Sequence, residues 1–268
     1  MKYTVCLAAA LVMALGTIAN AEVRRHDKPA EAYQPEEAPG YLVDMRHEGS
    51  GILVAPNWVL SVAHNIFYDY HGKTLTIGDK DYVIQKLVFH PNWQEMPPEL
   101  GQGDAAPLMT FLAGRTDLVL IKLSESVEGP EPIAIYNGND EVAHEITVYG
   151  KGAKGDGITG EQMETKPARR LGYFRNVVDK ADESWLYFDF DRPGADALEL
   201  EGTTGSGDSG GPSVVVIDGK PYAFGLSSWR WYEGDLANFK GGVYGMTSVQ
   251  QRLSRYRDWI EATIKADE

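Results

Sequence analysis

Gly205-Ser206-Gly207-Asp208-Ser209-Gly210-Gly211-Pro212 is the most informative stretch of the 268 residues. It sets a serine between glycines just ahead of Ser213 to Ile217, an apolar run that reads as a strand. Glycines permit a tight turn that leaves the Ser209 oxygen exposed and backbone N–H groups aimed at one point beside it. A serine used as a nucleophile also needs a base to take its proton and a carboxylate to orient that base, so partners are expected elsewhere in the chain.

Working outward, Ser61-Val62-Ala63-His64 follows Ala55-Pro56-Asn57-Trp58-Val59-Leu60, and Thr116-Asp117 stands at the mouth of the apolar run Leu118 to Leu123. The three segments, in the order His, Asp, Ser, resemble the chymotrypsin/trypsin-like serine proteases. The resemblance runs from about Tyr41 to Ile264 and takes in Val148-Tyr149-Gly150-Lys151-Gly152, Ser228-Trp229, Gly242-Val243-Tyr244 and the closing Tyr256-Arg257-Asp258-Trp259-Ile260. Chain order separates it from other serine chemistries. Gly207-Asp208-Ser209-Gly210-Gly211 also satisfies G-x-S-x-G, but that elbow requires a histidine after the serine and the last one here is His144. A subtilisin-like order needs an acid before His64, where Asp27 and Asp44 sit in no recognisable motif.

The resemblance implies an all-β fold of two packed six-stranded antiparallel barrels with a C-terminal helix. It makes Ser209 the nucleophile, His64 its base and Asp117 the group that orients His64, with the amides of Gly207 and Ser209 as the oxyanion hole. Ser228 is expected to support Asp117, and Ser228 to Arg230 to pair with an extended substrate. The specificity pocket would draw on Thr203, Thr204, Ser227, Trp229, Arg230 and Gly242. Thr203 occupies the floor position six before the serine, so a counter-charge for Lys or Arg is missing there. Arg230 stands where the family usually has glycine; it forks onto an acidic substrate side chain, with Thr204 and Ser227 as polar helpers, or it points into solvent or merely narrows the pocket. In the family the acid before the nucleophile, here Asp208, pairs with a new amino terminus. Counting back from His64 lands near Val23, though the family's usual Ile-Val-Gly-Gly is absent, and Asp208 bonding locally beneath a permanent lead-in is the alternative.

Composition agrees with an exported, cored protein. The chain is 43% hydrophobic and 24% charged, with 39 acidic against 25 basic side chains and a net charge of −14, the wrong sign for a nucleic-acid binder. Met1 to Ala21 reads as an export signal: Lys2, an apolar run from Val5 to Ile18, then Ala19-Asn20-Ala21 before the cut. That run is short for a membrane span, so the mature protein, starting near Glu22, is expected outside membranes, in the periplasm or the medium. The single cysteine, Cys6, lies in the signal, so no disulfide is available.

Residues 22–40 read as a lead-in or short propeptide, about 41–135 as the first barrel, about 136–248 as the second and about 249–265 as the helix, the whole of 41–268 forming the protease domain. Short runs such as Tyr41 to Val43, Trp58 to Val62, Leu118 to Leu123, Trp185 to Phe190 and Gly242 to Met246 are the expected strands. The helix rests on Leu253, Tyr256, Trp259, Ile260 and Ile264 at helical spacing. Pro91 to Gly114 reads as a long surface loop overhanging the cleft, and Lys151 to Gly160 as a Gly-rich loop. Gly150-Lys151-Gly152-Ala153-Lys154-Gly155 matches a dinucleotide fingerprint without the following helix, so no nucleotide is expected. No histidine pair has metal-ligand spacing, and the acid-rich Asp182-Glu183 and Asp189 to Asp196 read as solvated strand ends. No cofactor or catalytic metal is expected. Partners should be protein or peptide substrates met by a monomer, and the rival reading is a catalytically silent homologue that binds peptides in the same cleft.

Overall fold

The computed structural model describes residues 22–47, 49–162, 169–194 and 196–267; the export signal expected over 1–21 lies outside them. The described part of the chain opens with β1 (Glu22–Arg24). A first body follows: β2 (Leu42–Asp44), β3 (Ser50–Ala55), β4 (Trp58–Ser61), β5 (Thr74–Ile77), β6 (Lys80–Phe89), α1 (Ala105–Gly114) and β7 (Val119–Leu123). Its six strands run β2-β3-β4-β7-β6-β5, and β5 returns against β2 to make a near-closed barrel.

The second body holds β8 (Ala134–Ile135), β9 (Glu145–Gly150), β10 (Lys154–Asp156), β11 (Gly160–Gln162), β12 (Gly172–Val177), β13 (Lys180–Ala181), β14 (Trp185–Asp189), β15 (Gly202–Thr203), β16 (Pro212–Ile217), β17 (Lys220–Trp231) and β18 (Thr247–Arg252). Its main sheet runs β12-β9-β16-β17-β18-β14-β13 with β8 beside β17, curled into a half-barrel. A four-stranded sheet, β11-β10-β1-β15, lies against β12. A single turn of 3-10 helix, Leu253–Tyr256, leads into α2 (Arg257–Lys265). This is the chymotrypsin-like fold, with the second barrel curled rather than closed.

Period-two alternation explains how the two bodies share one interior. Val119, Ile121 and Leu123 of β7 point into the first barrel with Val59 and Leu53. The alternate residues Leu118 and Leu120, with Ile52 and Leu60, point outward onto Val214 and Leu226 of the second body and Leu253 and Ile260 at the C terminus. Both faces of these strands are buried, which is why they read as unbroken apolar runs. Phe174, Phe188 and Phe224 fill the half-barrel.

Several boundaries differ from the expectations. Glu22–Arg24 is no surface lead-in: Val23 is fully buried, and β1 pairs with β10 on one side and β15 on the other. The end of the stretch Pro91 to Gly114 is the helix α1, capped by Asp104, whose side chain accepts from the Ala106 amide at 3.0 Å. Ala105, Met109 and Leu112 of α1 bury against Trp185, Trp229 and Val249, and Trp185 Nε1 donates to the Ala113 carbonyl at 2.9 Å. The Gly-rich stretch after Gly150 contains β10 in place of a plain loop. Gly242 to Met246 forms turns, because Gly242 and Gly245 take φ of 76° and 85°. The final strand occupies Thr247–Arg252, so the helical segment starts at Leu253, not 249.

Candidate active site

The first body supplies His64, just past the end of β4, and Asp117, just before β7; the second supplies Ser209, in the turn before β16. His64 Nε2 lies 2.7 Å from Ser209 Oγ and His64 Nδ1 2.6 Å from Asp117 Oδ2. Asp117 is fully buried and its other oxygen accepts the His64 backbone N–H at 3.0 Å. Burial alone would raise this carboxyl, but the His64 imidazole, the Arg115 guanidinium and the Ser228 hydroxyl outweigh it and hold it at about 2. An ionised Asp117 can only accept, so Nδ1 carries the proton and Nε2 is left to accept from the Ser209 hydroxyl.

Ser228 Oγ donates to Asp117 Oδ2 at 2.5 Å. Two supports had no signal in the motifs. Gln251 of β18 accepts the Asp117 backbone N–H at 2.7 Å while its amide donates to the Ser184 carbonyl. Arg115 Nη2 lies 3.7 Å from Asp117 Oδ2, its guanidinium stacked over Trp93.

The serine turn is tied to the first body. The Ser50 N–H donates to the Ser209 carbonyl at 2.7 Å, and Asn65 Nδ2 does so at 3.1 Å. Gly210, at φ 75°, passes so close to the Ser50 carbonyl that an added Cβ would sit 2.0 Å from that oxygen. Gly207 takes φ 93°, a left-handed conformation that glycine allows. The amides of Asp208, Gly210 and Gly211 are used to fix the turn, whereas among the described residues those of Gly207 and Ser209 donate to no protein acceptor.

Asp208 is buried, its carboxylate accepting from the amides of Gly152 at 2.6 Å and Gly205 at 2.7 Å. The residue brought beside it is Glu22 and not Val23, whose side chain packs into the sheet. Both Glu22 oxygens are buried without a bonded partner; the Gly150 amide favours the charged form without reaching bonding geometry. Burial first, and the Asp208 charge second, raise the Glu22 carboxyl well above its ordinary range, and burial pushes Asp208 up to about 6.

A cavity of about 380 Å³ adjoins Ser209. Thr204, Ser227, Trp229 and Arg230 line it, with Leu108, Met109 and Leu112 of α1 opposite. Thr203 and Gly242 do not: both are buried, Thr203 bonded to Ser248 at 2.8 Å and Gly242 packed against Val23. Arg230 neither faces solvent nor offers a free fork to an acidic group. Its Nη1 meets Glu161 Oε2 at 2.9 Å and its Nη2 meets Oε1 at 3.2 Å, a pairing that sequence spacing did not reveal. Asp182, in one of the acid-rich stretches, is occupied in accepting from the Ser184 and Trp185 amides and the Tyr187 hydroxyl.

Fold and site together define a two-barrel protein with a Ser-His-Asp hydrogen-bond chain at the seam between its bodies. The sequence model of the Trypsin family matches residues 30–260. The chain is 25% identical over 259 residues to trypsin from Squalus acanthias, spanning 89% of this chain and 96% of that protein. It is 24% identical over 244 residues to chymotrypsin-like elastase family member 1 from Macaca fascicularis, spanning 82% and 80% respectively. The protein belongs to the trypsin family.

Proposed function

We propose that the protein is an exported serine endopeptidase. The observation that carries this reading is the continuous chain from Ser209 Oγ through His64 to the buried Asp117, with links of 2.7 and 2.6 Å. In the acylation step Ser209 Oγ attacks the peptide carbonyl while its proton passes to His64 Nε2. Asp117 holds the imidazole in the tautomer that can accept and stabilises the imidazolium that forms. The oxyanion is met by the amides of Gly207 and Ser209, each worth ~3 kcal/mol in sites of this kind. His64 then gives the proton to the departing amine, and a water activated by the same nitrogen releases the acyl group and restores Ser209.

The β17 edge supports binding of an extended chain. β16 pairs with β17 only as far as Leu226, so the Ser228 to Arg230 edge nearest Ser209 is open to a substrate strand. Among the described residues no helix is long and apolar enough to cross a membrane.

Glu22 is also the residue that follows the expected signal cut. A chain starting there carries its α-ammonium beside two buried carboxyls, Glu22 and Asp208, where a positive charge is favourable. Removal of the signal then completes the site with no further propeptide to trim. The test of the activity is labelling by a serine-reactive phosphonate and digestion of a mixed peptide library. Both should occur with the wild type and vanish in Ser209→Ala, and their absence from a folded wild type starting at Glu22 would sink the reading. Amino-terminal sequencing of active protein checks the start, with Glu22 expected.

A further inference from the structure

Where the recess runs away from Ser209 it passes between the segment 204–206 ahead of the nucleophile and the segment 227–230 of β17, with Leu108, Met109 and Leu112 of α1 and Phe239 completing its lining. The Arg230 guanidinium bridges the two segments. From β17 it reaches the Thr204 carbonyl at 3.5 Å and Ser206 Oγ at 3.3 Å, and it stacks over Phe239 at 5.1 Å. Glu161, from β11, locks it there with the two-pronged ion pair. The same carboxylate accepts the Ser206 N–H at 2.7 Å and its hydroxyl at 3.1 Å. Both side chains are nearly sheltered, 15% and 12% exposed. Arg230 and Ser206 hold the Glu161 carboxyl below the ordinary range despite its burial, so the pair stays charged.

Beyond this bar the space is closed. Thr203 and Ser248 are fully buried and bonded to each other, Thr204 Oγ1 bonds the same Ser248 oxygen at 2.8 Å, and neither Thr203 nor Ser248 borders the cavity. We propose that the Glu161–Arg230 pair sets the substrate class, restricting the residue whose carbonyl meets Ser209 to small uncharged side chains: glycine, alanine or serine. This rests on the serine-peptidase reading. A large side chain collides with the guanidinium. An acidic one meets Glu161 as well as a cation already matched, and a basic one meets Arg230 with no spare carboxylate at the bottom.

The test varies that one residue (Gly, Ala, Ser, Leu, Phe, Lys, Glu) in matched peptides, with Ser209→Ala as the blank. Wild type should cleave after the small residues at least about tenfold better than after Phe, Lys or Glu. Arg230→Gly should raise cleavage after Leu and Phe about tenfold or more. Glu161→Gln, which frees the cation, should raise cleavage after Glu. Wild-type cleavage after Phe or Lys as fast as after Ala would overturn the proposal. Indole binding, followed by calorimetry, decides the same point without catalysis: Arg230→Gly should bind it and wild type should not, and equal binding would overturn the bar. Exclusion of indole by wild type alone, with no Ser209-dependent cleavage of any peptide, would support the bar and remove the peptidase reading.

Discussion

The Arg115 guanidinium lies 3.7 Å from Asp117 Oδ2, the same oxygen that meets His64 Nδ1, so the carboxylate that orients His64 also faces a buried cation. Arg115 is 6% exposed, and burial lowers its own tendency to stay charged while Asp117 opposes that. Arg115 is one of the groups that hold the Asp117 carboxyl at about 2 against its burial. Arg115→Met should therefore let that carboxyl rise and bring the loss of stability in acid to a higher pH. An acid-unfolding midpoint that does not move would mean that Arg115 only packs against Trp93.

Glu22 and Asp208 give stability a dependence of the opposite hand to most carboxylates. The Glu22 carboxyl is raised well above its ordinary 4.5 by burial and then by Asp208, so the folded state holds a proton that the unfolded chain releases. Stability is full below the unfolded value and falls as pH rises through the folded one. In a chain that still carries residues ahead of Glu22, and so has no α-ammonium there, Glu22→Gln should raise Tm by roughly 2–6 °C at pH 8 and by little at pH 4. Thermal scans at the two pH values check this, and an equal shift at both would defeat it.

Glu141 and Arg252 have the ordinary sign. Glu141 is fully buried, bonded to Arg252 Nε at 2.9 Å and Nη2 at 2.6 Å and to Ser254 Oγ at 2.5 Å. Burial opposes ionisation, but these partners keep its carboxyl below the ordinary 4.5. Its contribution is present at neutral pH and lost as pH falls through the lowered value. Glu141→Ala should cost about 3–5 kcal/mol at pH 7, since it strands a buried guanidinium, and less in acid. Denaturant unfolding at pH 7 and pH 3.5 reads the difference.

Gly210 and Gly219 have nearly the same backbone, φ 75° and 76°, in different surroundings. A Cβ at Gly219 meets nothing within 4 Å, whereas at Gly210 it meets the Ser50 carbonyl at 2.0 Å. Gly219→Ala should cost about 1 kcal/mol, the left-handed penalty alone. Gly210→Ala should cost several times that, roughly 3 kcal/mol or more, and displace Ser209. Equal losses would show that the close passage is relieved elsewhere.

What the sequence revealed follows from which signals are local. Strands such as Leu118 to Leu123 were legible because both faces are apolar, and His64, Asp117 and Ser209 because each sits in a motif. The sequence hides β18 behind the helical spacing that begins at Val249, because Thr247-Ser248-Val249-Gln250-Gln251-Arg252 lacks an apolar pattern, yet Ser248, Gln250, Gln251 and Arg252 are all buried. Distant partners bond them, Thr203, Ser227, Ser184 and Glu141, although Gln250 Oε1 is left without one. The α1 helix had a readable start, Asp104-Ala105-Ala106-Pro107, and an apolar face at 105, 109 and 112 that the surrounding Gly and Pro concealed. Glu161 and Glu22 were invisible because their partners, Arg230 and Asp208, are far along the chain and no spacing rule links them.

The hydrogen-bond chain at the seam is divided: His64 and Asp117 belong to a body with its own core, Ser209 and Ser228 to the other, and the Ser50–Ser209 backbone bond joins them. Neither half alone holds the Ser-His-Asp chain. During synthesis the first body can gather its inner core while the serine is still to be made, but the outward face of Ile52, Leu60, Leu118 and Leu120 is covered only when the second body arrives, so the shared interior and the site are completed together. Heat would act in the reverse sense: a slip of one body against the other parts His64 from Ser209 and opens the shared interior of Ile52, Leu60, Val214 and Leu226 while the separate core of each body is still packed.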